Sequence, residues 1–101
     1  MANTPKRLHR ANASTTQTVV YTVATGVTTI VTNIVVANSG SSAATVLIRF
    51  GSVPIVPNTS VPANGIFTLD VSQVLTEGNT IDVQSSSTTV GVHISGVEVT
   101  A

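Results

Sequence analysis

A run of β-branched residues occupies the middle of this chain and limits what it can become. Residues 27–37 read Val-Thr-Thr-Ile-Val-Thr-Asn-Ile-Val-Val-Ala. Val, Ile and Thr carry two heavy atoms on Cβ, which crowd a helix and suit a pleated ribbon, so the run predicts one long strand. Alternation puts Ile30, Ile34 and Val36 on one face and Val27, Val31, Val35 and Ala37 on the other. A strand apolar on both faces needs cover on both, from an opposing sheet on one side and a loop or another chain on the other. Val31 and Val35 are therefore expected at a subunit interface. The turn at residues 38–42 leads into a second strong strand, and that hairpin is expected at the centre of the domain.

Further strands follow from the same pattern. Residues 18–23 form the first. Residues 43–50 alternate Val46, Ile48 and Phe50 against Leu47 and Arg49. Residues 53–57 hold Pro54 and Pro57, which cannot donate to a ladder and place this piece at a sheet edge. Residues 66–71 turn Phe67, Leu69 and Val71 inward, and residues 72–75 are expected as a single helical turn capped by Asp70 or Ser72. Ile81 and Val83 alternate with Asp82 and Gln84.

The last strand, residues 90–99, carries a phase break. Val90, Val92 and Ile94 are even-numbered, whereas Val97 and Val99 are odd. One extra residue restores the alternation, so a β-bulge is expected at Ser95-Gly96. Six or seven strands without a convincing helix predict an all-β fold, a single antiparallel β-sandwich of jelly-roll-like form. Its expected core is Ile30, Ile34, Val46, Ile48, Phe67, Leu69, Ile81, Val83, Val92 and Ile94.

Charge separates one end from the rest. Only 8% of the 101 residues are charged, against about 25% in ordinary soluble proteins. Three of the four basic residues, Lys6, Arg7 and Arg10, fall in the first ten positions. Residues 1–16 are accordingly expected to be an extended basic arm, with the β-sandwich domain spanning residues 17–101. Pro5 stiffens this arm and Leu8 gives it an apolar anchor. Lys6, Arg7, Leu8 and Arg10 are the candidate partner-binding residues, and removing residues 2–10 is expected to leave the melting temperature nearly unchanged. A surface with so little charge repulsion favours association, so a homo-oligomer is expected, with a trimer as the first guess.

The sequence offers little for chemistry. With no Cys there is neither a disulfide framework nor a thiolate metal site. His9 and His93 are far apart in sequence, and no carboxylate cluster flanks either, so no metal or cofactor is expected. No Gly-x-Ser-x-Gly elbow or phosphate-binding glycine loop occurs. His93 is expected on the face opposite Val92 and Ile94, facing solvent or an interface and not a catalytic pocket. One Tyr and three clustered basic residues argue against nucleic acid. No apolar run approaches the length of a membrane-spanning helix. The first ten residues lack the apolar core of a secretory signal, so a soluble protein made in a cytoplasm is expected.

Three stretches carry a resemblance. They are Thr18-Val-Val-Tyr-Thr-Val-Ala-Thr-Gly26 entering Ile30-Val-Thr-Asn-Ile-Val-Val-Ala-Asn38, Val61-Pro-Ala-Asn-Gly65 entering Phe67-Thr-Leu-Asp70, and Leu75-Thr-Glu-Gly-Asn-Thr-Ile81 leading to Val90-Gly-Val-His-Ile-Ser-Gly-Val-Glu-Val99. With these the chain resembles small β-sandwich virion proteins of tailed bacteriophages, found as capsid decoration proteins, head fibres and minor tail proteins. The resemblance covers nearly everything after residue 17 and brings no active-site motif. It implies a non-enzymatic virion protein, first a decoration or cement protein bound in many copies to the major capsid protein. The alternative is a minor tail or tail-fibre module that adheres to the host surface through the loop tips at residues 39–42, 58–60 and 85–89. No small-molecule substrate is implied.

Overall fold

The computed structural model describes residues 2–100; Met1, at the start of the expected arm, and Ala101, at the end of the expected domain, lie outside the described residues. The described residues hold eight strands: β1 (Ala2–Asn12), β2 (Thr18–Thr22), β3 (Val27–Asn38), β4 (Ala44–Phe50), β5 (Val53–Val61), β6 (Ile66–Leu75), β7 (Thr80–Ser85) and β8 (Val90–Thr100). They form two four-stranded antiparallel sheets in the orders β1-β8-β3-β6 and β2-β7-β4-β5. That is the strand order of a jelly roll, in which successive strands pass from one sheet to the other. Among the described strands, only β4 and β5 are consecutive in sequence and paired. The hairpin expected from β3 to β4 is therefore a crossing between sheets.

The core lies between the sheets and is almost wholly aliphatic. Ile34, Val46, Ile48, Ile81, Val83, Val92 and Ile94 are buried there as expected, while Phe67 and Leu69 are half-buried against it near the β6 edge. Pro54 and Pro57 lie on β5, at a sheet edge, as the missing donors require. Residues 72–75 are not a helical turn. They continue β6, with Gln73, Val74 and Leu75 opposite Val31, Ile30 and Thr29.

Two expectations about β3 fail for one reason. The register of β3 slips between Val31 and Asn33 against both β8 and β6. Before the slip, odd residues point inward, so Thr29 and Val31 are wholly buried; after it, Ile34, Val36 and Asn38 are. Ile30 therefore faces out of the sandwich and Val31 faces in, the reverse of the simple alternation. The phase break expected at Ser95-Gly96 lies opposite this slip, but β3 carries it. Strand β8 keeps its even residues inward from Val90 to Gly96 and leaves Val97 half-buried on the outer face. Gly96 is needed there, because a Cβ would run into the Ile30 carbonyl oxygen.

The expected arm is, over residues 2–12, a strand of the sandwich. β1 pairs with β8 from Ala2 opposite Thr100 to Asn12 opposite Gly91, with one slip at Leu8. That slip turns Leu8 into the core, and Ala13 follows it. Backbone pairing holds this segment, together with one apolar side chain, which is why its polar composition hid it.

Candidate functional site

Nothing resembling a catalytic constellation assembles among the described residues. His93 is exposed on the outer face of its sheet, opposite Arg10 and Val35. His9 is half-buried with its pKa lowered, first by burial and then by the nearby His93. Asp82 is only 5% exposed, although it projects from the outer face of the second sheet. Gln17 roofs it, donating from Nε2 to Oδ2 at 2.8 Å, and the Arg49 Nε lies 4.0 Å away. These contacts fasten the β1–β2 connection across β7 and offer no open base or nucleophile. No group of three or more His, Cys, Asp or Glu side chains converges as a metal site among the described residues. Among the described residues no helix is long and apolar enough to cross a membrane.

What the fold does build is an outer sheet surface. Register places Pro5 opposite Val97, Val97 opposite Ile30, and Ile30 opposite Val74. One apolar row thus crosses all four strands on the side away from the core, and its Val74 is 60% exposed. The slip at Leu8 offsets the alternation along β1 and so puts Arg7 and Arg10 on the same face, opposite Ser95 and His93. Both arginines are exposed, and neither makes a hydrogen bond or ion pair with a described residue.

The six residues singled out from the sequence fare differently. Arg7 and Arg10 stand on this outer surface. Lys6 is tied down, its Nζ 3.2 Å from Glu98 Oε1. Leu8 is in the core and gives no anchor to a partner. Val31 is wholly buried for the register reason above, which leaves no Val31 surface for a subunit contact. Val35 does face outward, half-buried between His93 and Thr68. The Pro5-Val97-Ile30-Val74 row was not foreseen, although the odd-numbered Val97 and Val99 signalled that part of β8 is apolar on its outer side.

Below this row, at the end where β1 begins, a polar cluster closes the sandwich. The Tyr21 hydroxyl donates to Glu98 Oε2 at 2.6 Å, and the Thr29 hydroxyl, 2.7 Å away, is left to donate to the Tyr21 oxygen. The Glu98 pKa is lowered from its ordinary value, chiefly by the Tyr21 hydrogen bond, with Lys6 adding to it and burial opposing. Burial raises the Tyr21 pKa, and the bond to Glu98 raises it further. A carboxylate with a depressed folded-state pKa contributes stability that is full above its unfolded value and is lost as pH falls through the folded value. Tyr21→Phe removes the donor, so the variant should lose less stability than the parent between neutral pH and the acid side of the carboxylate range. Denaturant melts across that interval measure this, and equal losses in the two proteins would contradict the assignment.

Two shallow concavities open at the other end. The larger, about 460 Å³, is lined by Thr15, Thr45, Leu47, Asn58 and Gln84 among others, and the smaller by Gly40, Ser41, Ser42, Ala43, Ser87 and Thr89. Both are walled mainly by hydroxyl and amide groups, with no carboxylate or imidazole.

No known protein-family profile matches the chain, and no curated protein matches it. Among solved structures, it aligns with a pentameric capsid protein isolated from metagenomic phage sequences, at 21% identity and a TM-score of 0.38. The alignment covers 96% of this chain but spans 62% of that protein's length. A likeness this loose carries no argument about role.

Proposed function

We propose that this protein is a non-enzymatic structural component of a bacteriophage virion, docking on a capsid or tail subunit through the outer face of the β1-β8-β3-β6 sheet. The favoured form is a decoration protein bound in many copies, as a homo-oligomer, to the major capsid protein lattice. The observation that carries this reading is the apolar Pro5-Val97-Ile30-Val74 row with Arg7 and Arg10 beside it. An open sheet face with an apolar row and flanking cations suits a protein surface; a small substrate needs an enclosing pocket. The sequence resemblance to phage virion proteins and the scarcity of charge point the same way. Arg7 and Arg10 would steer and orient the contact with an acidic partner, while the apolar row supplies buried area.

A second reading, an adhesion module of a tail, draws on the polar concavities lined by Thr15, Asn58 and Ser86 and by Ser41, Ser42 and Thr89. Copy number in purified particles separates the two. Hundreds of copies fit a head lattice, a few to tens fit a tail, and absence from particles defeats both. Replacing Arg7 and Arg10 together by Ser should weaken particle binding roughly 2- to 30-fold, at about 0.2–1 kcal/mol for each exposed pair. Binding should also become less salt-sensitive. Unchanged affinity would move the attachment away from β1.

A further inference from the structure

The two sheets present four edges, and three of them are defended against strand addition. β1 carries Pro5, a slip at Leu8 and three cationic side chains. β5 carries two prolines, and β2 is five residues long with a slip at Val20. Prolines, bulges, charges and shortness are the usual defences of an exposed edge. β6 is ten residues long with no proline and no basic residue; its one charge and its slip lie at and beyond Asp70, which leaves residues 66–69 undefended, and its Ile66 is 68% exposed.

The free groups on that edge can be assigned. The Asn38 N–H donates to the Gly65 carbonyl at 2.9 Å, which makes Asn38–Gly65 a hydrogen-bonded pair of the β3–β6 ladder. Such pairs alternate in an antiparallel ladder, so Val36–Phe67 and Ile34–Leu69 are also bonded. Ile66, Thr68 and Asp70 therefore direct their N–H and C=O groups away from β3, toward solvent. This regular segment has natural limits. The Asn64-Gly65 turn, with Asn64 at φ 56°, precedes it, and the register slip after Asp70 ends it. Its midpoint is Thr68.

We propose that β6 is a self-association edge, at which a second copy of this chain adds its own β6 antiparallel about a two-fold axis through Thr68. The segment is self-complementary about that axis. Thr68 meets Thr68 of the second copy, Ile66 meets Asp70, and Phe67 meets Leu69. Three pairs of closely spaced bonds form, about six hydrogen bonds in all. Phe67 and Leu69 are half-buried where their sheet stops, and they cover each other across the new pair. The two Asp70 carboxylates stay apart by four residue steps, about 14 Å, beyond the screening length of roughly 8–10 Å. The joined sheets make one eight-stranded surface on which both apolar rows face the same side. This pairing gives dimers, not trimers, and it stands whether or not the virion reading holds.

Thr68 also supplies the test. Its N–H lies outside the β3–β6 ladder, so Thr68→Pro blocks the edge without removing a bond within one copy. Sedimentation equilibrium should show the parent as a concentration-dependent dimer and T68P with at least tenfold weaker dimerisation and an unchanged circular dichroism spectrum. Because the chain has no Cys, Thr68→Cys adds a single thiol. A hydrogen-bonded antiparallel pair places the two Cα atoms about 5.5 Å apart, close enough for a short bis-maleimide to bridge the two thiols. A short bis-maleimide should convert T68C to a covalent dimer, while Thr59→Cys on β5 should give no covalent dimer. A parent that sediments as a monomer at every concentration, or a T68C protein that cross-links no better than T59C, overturns the proposal. A T68P variant that dimerises like the parent places the contact elsewhere and overturns it equally, whereas a T68P variant that misfolds contradicts the free-edge assignment of Thr68.

Discussion

Replacing Asn38 by Leu is expected to cost about 3–5 kcal/mol, a large share of the roughly 5–15 kcal/mol that holds a domain together. Asn38 ends β3 on its inner side and is 2% exposed. Its amide nitrogen donates to the Ser42 and Val61 carbonyls at 2.8 and 3.2 Å. Its side-chain oxygen accepts from the Gly40 N–H and the Thr89 hydroxyl at 2.9 and 2.8 Å. One side chain thus ties the β3–β4 crossing, the end of β5 and the β7–β8 loop into a single end of the sandwich. Leu has similar volume but leaves those partners without Asn38, and an unpaired buried polar group costs about 1–3 kcal/mol. Asn38→Asp is expected to do at least as much damage, because a carboxylate cannot donate to two carbonyl oxygens. Urea melts of the parent and both variants measure the effect. A loss below about 1 kcal/mol would show that water replaces the amide and that this end is not closed.

Deleting residues 2–12 is expected to be more disruptive still. The deletion strips β8 of its neighbour on one side and removes Leu8, 8% exposed, from the core. The Leu8 term alone is about 2–5 kcal/mol if the site collapses as poorly as other buried leucines do. Each lost kcal/mol lowers the melting temperature of a domain this size by roughly 4–8 °C, so a fall of about 10 °C or more should follow. Calorimetry of the truncated protein tests this. A peptide of residues 2–12 added in excess should restore part of the loss by re-pairing with β8. An unchanged melting temperature would mean that residues 2–12 stand free of the sandwich in solution.

That second case marks where the sequence ceases to speak. Strands β3, β4, β7 and β8 bury one or both faces, so burial left its alternation in their residues. β1 is an edge strand held by backbone bonds that any composition can make. With Pro5, Lys6, Arg7 and Arg10 around a lone Leu8, it reads as a basic tail. The β3 slip was half legible. The odd-numbered Val97 and Val99 showed that the alternation breaks, but a break in one strand can be absorbed by its partner, and here β3 absorbs it. That choice exchanges Ile30 for Val31 in the core and creates the outer apolar row, so the candidate site was lost with the register. Residues 72–75 misled for a local reason. Ser72 and Gln73 suit a helical turn after Asp70, and only pairing with β3 makes them strand.

The strand order has a kinetic consequence. β8 lies between β1 and β3, so neither of its neighbours reaches the other until residues 90–100 have been synthesised. Until then the β-branched run of β3 can pair only with β6, and β1 has no partner strand at all. β8 is therefore the strand that joins β1 to β3, and this sheet stays divided until β8 is in place. Non-local closure of this kind is slow, roughly milliseconds to seconds in sandwiches. During that interval the unpaired side of β3 is the surface most exposed to a wrong strand from a neighbouring nascent chain.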